Sequence, residues 1–274
     1  MMGSNDALAA LAADPSGGSL GLTLPPGRLR HETEDGPRDQ PMLWLSDDQP
    51  AADAWTVLRA AHARTGLWPL LLSGLSEDEP DRPWASGELD PTMVTSEPGA
   101  HDAEELLAGW WAAYTPDDDS QSAATAPFGT RWPGLAPPGV DQDDPDDAAA
   151  EVAYILADAD VLTEPRLGLV PSRRGADAPA ALGWGGPLNY ENDTAQFSAV
   201  LRSWEDRFGA RLVGLGFDTL LLSVAAPPTD HDHALRVAAE HFAFCPDNIW
   251  QGAGSLEQYA ADLTGVSVWR FWWD

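Results

Sequence analysis

The chain has no lysine and a single cysteine among its 274 residues. One cysteine cannot build an intramolecular disulfide framework. Without lysine, 15 arginines face 44 acidic residues, for a net charge of -29. Such a field repels phosphate backbones and anionic membrane surfaces, since nucleic-acid affinity comes largely from basic side chains that displace condensed counterions. No stretch approaches the ~20 apolar residues of a membrane span. The start MMGSNDALAALAADPSGG lacks both the basic residues and the sustained apolar run of a secretion signal. These absences predict a soluble protein of the bacterial cytoplasm. Also missing are the G-x-G-x-x-G, Walker A, G-x-S-x-G, H-E-x-x-H and C-x-x-C patterns, which removes the familiar nucleotide, hydrolase, zinc and redox chemistries. No cofactor and no metal site is expected.

What is present is apolar and aromatic: 43% of residues are hydrophobic and 13 are tryptophan, enough for one large core or two modest ones. Residues 1–40 mix Gly, Pro, Asp and Arg without periodicity and predict a poorly ordered arm. Residues 41–114 read as a small α/β unit. In it a strand at Met42 to Leu45, a helix carrying Trp55, Leu58 and His62 up to Gly66, and a strand from Leu67 suggest a βαβ crossover. A further helix starts at Asp102 and gathers Leu106, Leu107, Trp110, Trp111 and Tyr114. Residues 115–147 are rich in Pro and Asp and predict an acidic linker pinned by Phe128 and Trp132.

From Ala148 regular patterning resumes. A helix through Val152, Ile155 and Leu156 precedes strands at Leu167 to Val170 and Ala181 to Trp184. Phe197, Val200, Leu201, Trp204 and Phe208 then share one helical face that Gly209 closes. Two strands joined at GFD form a hairpin. A helix capped at Thr229 or Asp230 turns Leu235, Ala238, Ala239, Phe242 and Cys245 inward. A helix at Ser255 to Leu263 and a strand in VSVWRFWW end the chain. The expectation is an α+β fold, a mainly antiparallel sheet with helices packed on it, with residues 148–274 ferredoxin-like in outline.

Several blocks carry a resemblance: RLGLVPSRRGADAPAALGW, NYENDTAQFSAVLRSWEDRFGARLVGLGFDTLLLSVAAPP, AAEHFAFCPDNIWQG and WRFWWD. By their spacing, residues from about Arg166 to Asp274 resemble the bacterial domain of unknown function 4253 family. The resemblance implies bacterial origin and a shared C-terminal domain, and carries no activity, cofactor or catalytic residue.

Candidate chemistry concentrates in AAEHFAFCPDNIWQG. His241 and Cys245 stand at i and i+4, so a thiol nucleophile activated by His241 and oriented by Asp247 is one reading. Against it, Cys245 lies on the inward arc at a helix C-terminus, where burial and the helix dipole disfavour a thiolate. A core cysteine ending a core helix is the favoured reading. His231 and His233 lie roughly 15 Å away along the helix at 1.5 Å per residue, too far to complete a zinc set. His62, on a face with Trp55 and Leu58, is assigned no role. Arg173 and Arg174 could grip a carboxylate or phosphate, although pairing with neighbouring acids is the commoner fate. Glu191 and Asp193 read as the start of a capped helix. Trp250 and Trp272 with Arg270 are of the residue types that anchor interfaces, while Trp269, Phe271 and Trp273 alternate onto one strand face and predict packing.

Taken together, net charge, indoles and the lack of a catalytic set predict a non-enzymatic module that docks on another protein, a basic one, as a regulator or immunity-type inhibitor. The alternative is a hydrolase or thiol-dependent enzyme using His241, Cys245 and Asp247.

Overall fold

Apolar residues at helical spacing produce the longest helices where the sequence predicts them; an aspartate caps Thr194–Phe208 and His231–Phe244, and a glycine closes the first of these. The computed structural model describes residues 4–115, 123–140, 143–158 and 162–274. The chain begins α1 (Ser4–Ala13), β1 (Gly27–Arg30), β2 (Glu32–Thr33), β3 (Gly36–Pro37), β4 (Leu43–Ser46), α2 (Ala54–Thr65), β5 (Leu67–Leu72) and α3 (Ala103–Tyr114). It continues α4 (Pro145–Asp158), β6 (Arg166–Pro171), α5 (Ala178–Leu182), α6 (Thr194–Phe208), β7 (Ala210–Leu215), β8 (Thr219–Val224), α7 (His231–Phe244), α8 (Leu256–Leu263) and β9 (Val268–Trp272). Among the described residues no helix is long and apolar enough to cross a membrane.

The fold is α+β. One sheet of seven strands runs in the order β1-β4-β6-β5-β7-β8-β9, and β2 and β3 form a separate hairpin. Every pairing in the large sheet is antiparallel except β5 with β7. Since β4 and β5 both run antiparallel to β6, which lies between them, the β4-α2-β5 crossover is split by a strand from later in the chain. β5 in turn separates β6 from β7. The two units read from the sequence therefore share one hydrogen-bonded layer, and the sheet extends well beyond a four-stranded ferredoxin-like outline.

Helix α6 illustrates how sequence sets the packing. Asp193 caps it by accepting from the Ala195 N–H at 3.2 Å, and Gly209 ends it in the left-handed region at φ 60. Phe197, Val200, Leu201, Trp204 and Phe208 are all buried, each contributing about 1.5–3 kcal/mol relative to exposure. Their partners come from β9: Trp204 stacks on Phe271 with ring centres 5.3 Å apart and meets Trp269 edge-on at 5.7 Å. Trp269, Phe271 and Trp273 thus face α6 and α7, as their alternation predicts. Val268 points the other way, toward α4.

Two expectations give way to the structure. Where composition predicts a loose arm, described residues from Ser4 onward form α1 and β1, because Leu8 and Leu11 find a buried patch of Trp44, Leu167 and Leu169; residues 1–3 lie outside the description. Ala181 to Trp184 is not a strand: α5 occupies Ala178–Leu182, and Gly183 caps it at φ 59. Gly183 backs onto Asp90 so closely that a Cβ would overlap the Asp90 carbonyl group. Of the linker, residues 116–122 and 141–142 lie outside the description, while 123–140 are strapped down. Phe128 and Trp132 pack on Trp111 at 6.4 and 5.7 Å, and the Trp111 indole donates to the Thr130 carbonyl at 3.1 Å.

Candidate functional site

Helix α7 carries His241 into the middle of the aromatic core. The Asp230 carboxylate caps the helix on the His233 N–H at 2.9 Å, and Cys245 closes it with its N–H on the His241 carbonyl at 2.8 Å. Pro246 has no N–H to extend the helix, and Asn248–Ala253 follow as a π-helical turn that Gly254 ends at φ 79.

The His241 ring is fully buried between Trp204, Trp269 and Phe271, with centres 5.0, 4.5 and 4.8 Å away. Its Nδ1 lies 3.1 Å from the Tyr259 hydroxyl, and its Nε2 has no polar partner among the described residues. Burial, reinforced by the nearby Arg207 charge, holds its pKa well below the ordinary histidine range, so the ring is neutral. Cys245 is also fully buried. Its S–H donates to the Trp272 carbonyl at 3.0 Å, and burial pushes the thiol pKa up, away from the thiolate a nucleophile needs.

Asp247 is occupied elsewhere. Its Oδ2 accepts from the Tyr190 hydroxyl at 2.9 Å and the Asp274 N–H at 3.1 Å, and its Oδ1 accepts from Gln251 at 3.0 Å. Asn248 treats β9 as a neighbouring strand would: its Nδ2 donates to the Arg270 carbonyl at 2.8 Å and its Oδ1 accepts from the Trp272 N–H at 3.3 Å. An edge strand left open would invite pairing with another chain. Cys245, Asp247 and Asn248 therefore form a clasp that holds and blunts the last strand. Burial of both groups, a raised thiol pKa and a lowered imidazole pKa are the opposite of the surroundings that activate a thiolate.

The remaining candidates are spread over the molecule. Trp250 is 39% exposed and leans on Tyr114 and Phe242 at 5.8 and 5.4 Å. Trp272 is half-buried and donates its indole N–H to Asp218 at 3.1 Å, while Arg270 is exposed. Arg174 is committed internally, to Glu205 and Asp206 at 2.6 Å each. Arg173 is exposed and shares a shallow cleft with Arg59, His62, Arg174 and Arg211. Asp146 bridges Arg59 and Arg211 at 2.7 and 2.9 Å, so acids largely neutralise that cleft too. His62 donates to the Ser172 carbonyl at 2.9 Å, a structural bond. Asp193 is a helix cap, as read. Among the described residues no group of three or more His, Cys, Asp or Glu side chains is placed to hold a metal ion.

Sequence reasoning missed two features. Glu240, on α7, is fully buried and binds Arg207, the Trp204 indole and the Ala136 N–H. The second is a groove of about 450 Å³ between α4 and the β8–β9 end of the sheet. Asp143, Asp144, Asp147 and Glu151 line it above Val152, Leu156, Val224 and Val268, and among the described residues no basic side chain does. Ile155, one of the apolar residues that mark this helix in the sequence, opens into the groove and is 56% exposed.

Residues 166–274 match the family described as a domain of unknown function (DUF4253). That stretch begins at β6 and runs to the C-terminus. β5, which fills the place between β6 and β7, comes from outside it. No curated protein and no solved structure matches the chain.

Proposed function

We propose that the protein is a non-enzymatic interaction module of the bacterial cytoplasm, regulatory or immunity-type, which takes a basic segment of another protein into the groove beside α4. The observation that carries this reading is the groove's lining: among the described residues, four carboxylates and no cation, over an apolar floor that leaves Ile155 more than half exposed. Asp147 and Glu151 are one turn apart on α4, so a partner with cations at matching spacing meets both at once. Covering Ile155 and its neighbours withdraws on the order of 100 Å² of apolar surface, worth about 2–3 kcal/mol. The carboxylates add steering and register more than affinity. The net charge of -29 extends the attraction beyond the groove at low ionic strength. The competing thiol-enzyme reading needs a reachable Cys245, and that sulfur has no exposure.

The test is fluorescence anisotropy of a labelled peptide of alternating leucine and lysine titrated with the full chain. Binding should weaken steeply as salt rises from about 50 mM to about 500 mM. The pair Asp147→Asn with Glu151→Gln should cost about tenfold, two charge contacts at roughly 0.7 kcal/mol each. The pair Glu77→Gln with Asp78→Asn, equally exposed and of equal charge change, should leave binding within about twofold. Equal losses from both pairs would show that only the overall field matters and would overturn the groove as the site.

A further inference from the structure

A second cavity, of about 310 Å³, lies away from α4 where the parallel strands β5 and β7 end. β5 and β7 finish side by side, with the Ser73 N–H on the Leu215 carbonyl at 3.0 Å. Two buried indoles fasten the following loops to those ends: Trp84 donates to the Ser73 carbonyl at 2.6 Å and Trp184 to the Gly216 carbonyl at 2.9 Å. The loops then carry Asp90 on one side and Leu188 on the other to the rim, with Phe217 from the β7–β8 turn between them. Gly183, in contact with Asp90 and bonded to its N–H through its carbonyl at 3.1 Å, locks the two loops together. The β2–β3 hairpin approaches over Gly87 and adds Glu34 and Asp35. Crevices outside the carboxyl ends of parallel strands are where open sheets with helices on both faces collect ligands.

The lining is chemically one-sided. Met93, Leu188 and Phe217 supply apolar walls, and Met93 and Leu188 are exposed although large and apolar. Of the four lining carboxylates, Glu88 is matched by Arg82 at 2.6 Å. Among the described residues no cation pairs with Glu34, Asp35 or Asp90. We infer that this cavity binds a small organic cation, an ammonium or guanidinium on an apolar ring or short chain. The charged head sits among Glu34, Asp35 and Asp90, and the body lies against Met93, Leu188 and Phe217. The volume, at the small end for ligand sites, suits one ring with its charged tail. This inference is independent of the groove beside α4.

Isothermal titration calorimetry of the full chain tests it with three ligands of one shape: phenethylammonium, the neutral 2-phenylethanol and the anionic 3-phenylpropanoate. The amine should bind saturably and at least about tenfold tighter than the alcohol, as a charge-assisted contact worth ~1.4 kcal/mol requires, and the acid should give no heat. Glu34→Gln with Asp35→Asn, on the exposed hairpin tip, should weaken the amine about tenfold and leave the alcohol unchanged. Leu188→Trp, which fills the cavity, should abolish both, with an unchanged melting temperature confirming that the fold is intact. Equal affinity for amine and alcohol, no saturable amine binding, or indifference to Leu188→Trp in the folded protein would each overturn the inference.

Discussion

Glu240→Ala is the perturbation whose size the structure fixes best. The Glu240 carboxylate is fully buried, and its two oxygens accept from the Ala136 N–H at 2.6 Å, the Trp204 indole at 2.7 Å and the Arg207 guanidinium at 2.8 and 2.6 Å. Arg207 is itself only 14% exposed along its side chain. Alanine strips the guanidinium of its counter-charge in a place water barely reaches, and it orphans an indole and a backbone donor. Breaking a buried pair this way costs about 3–5 kcal/mol. For a chain of this size each kcal/mol lowers the melting temperature by roughly 2–4 °C, so a fall of about 10 °C is expected. Glu240→Gln, which keeps one acceptor oxygen, should lose about half as much. Replacing both partners, Arg207→Met with Glu240→Leu, should recover most of the loss, because removing a buried pair outright is far cheaper than halving it. Tryptophan fluorescence on heating reads all three. A Glu240→Ala protein that melts within about 2 °C of the parent would refute the reasoning.

Cys245 should resist an aromatic disulfide reagent at pH 8 in the native state and release one equivalent on denaturation; rapid stoichiometric labelling of the folded protein would contradict its burial. His241 sets a pH dependence. Its pKa is lowered by folding, so as pH falls through the unfolded value near ~6.5 the unfolded chain takes up a proton that the folded chain refuses. Stability should therefore be full above that pH and fall below it by up to ~1.4 kcal/mol per pH unit for this one group, with His62, shifted the same way by burial, adding to the slope. In chemical denaturation between about pH 7 and pH 5.5, His241→Gln should remove about one proton from that slope; an unchanged slope would place the titration elsewhere.

Elements that carry their own signal were legible in the sequence. α6 and α7 have apolar arcs and acidic caps, the β7–β8 hairpin has its GFD turn, and Cys245 is buried as its place beside Phe242 predicts. What depends on distant partners was not. α1 shows little beyond Leu8 and Leu11, and those matter only because Trp44, Leu167 and Leu169 offer a patch to cover. The entry of β5 between β6 and β7 joins residues as far apart in sequence as Leu71 and Gly214, which no local period encodes. Ala181 to Trp184 is too short an apolar run to distinguish a strand from a helix end. At the site level, a glutamate on a helix reads as solvated until Arg207 and Trp204 from α6 are seen to enclose it. The groove beside α4 exists only once β8 and β9 lie alongside, so the exposure of Ile155 has no signal in the sequence.

Hydrogen–deuterium exchange of the full chain, with and without the leucine–lysine peptide, measures most directly where a basic partner sits. Protection gained along α4 and at residues 265–268, with the exchange of residues 241–250 unchanged, is the predicted result. Protection centred on residues 241–250 with α4 untouched would contradict it.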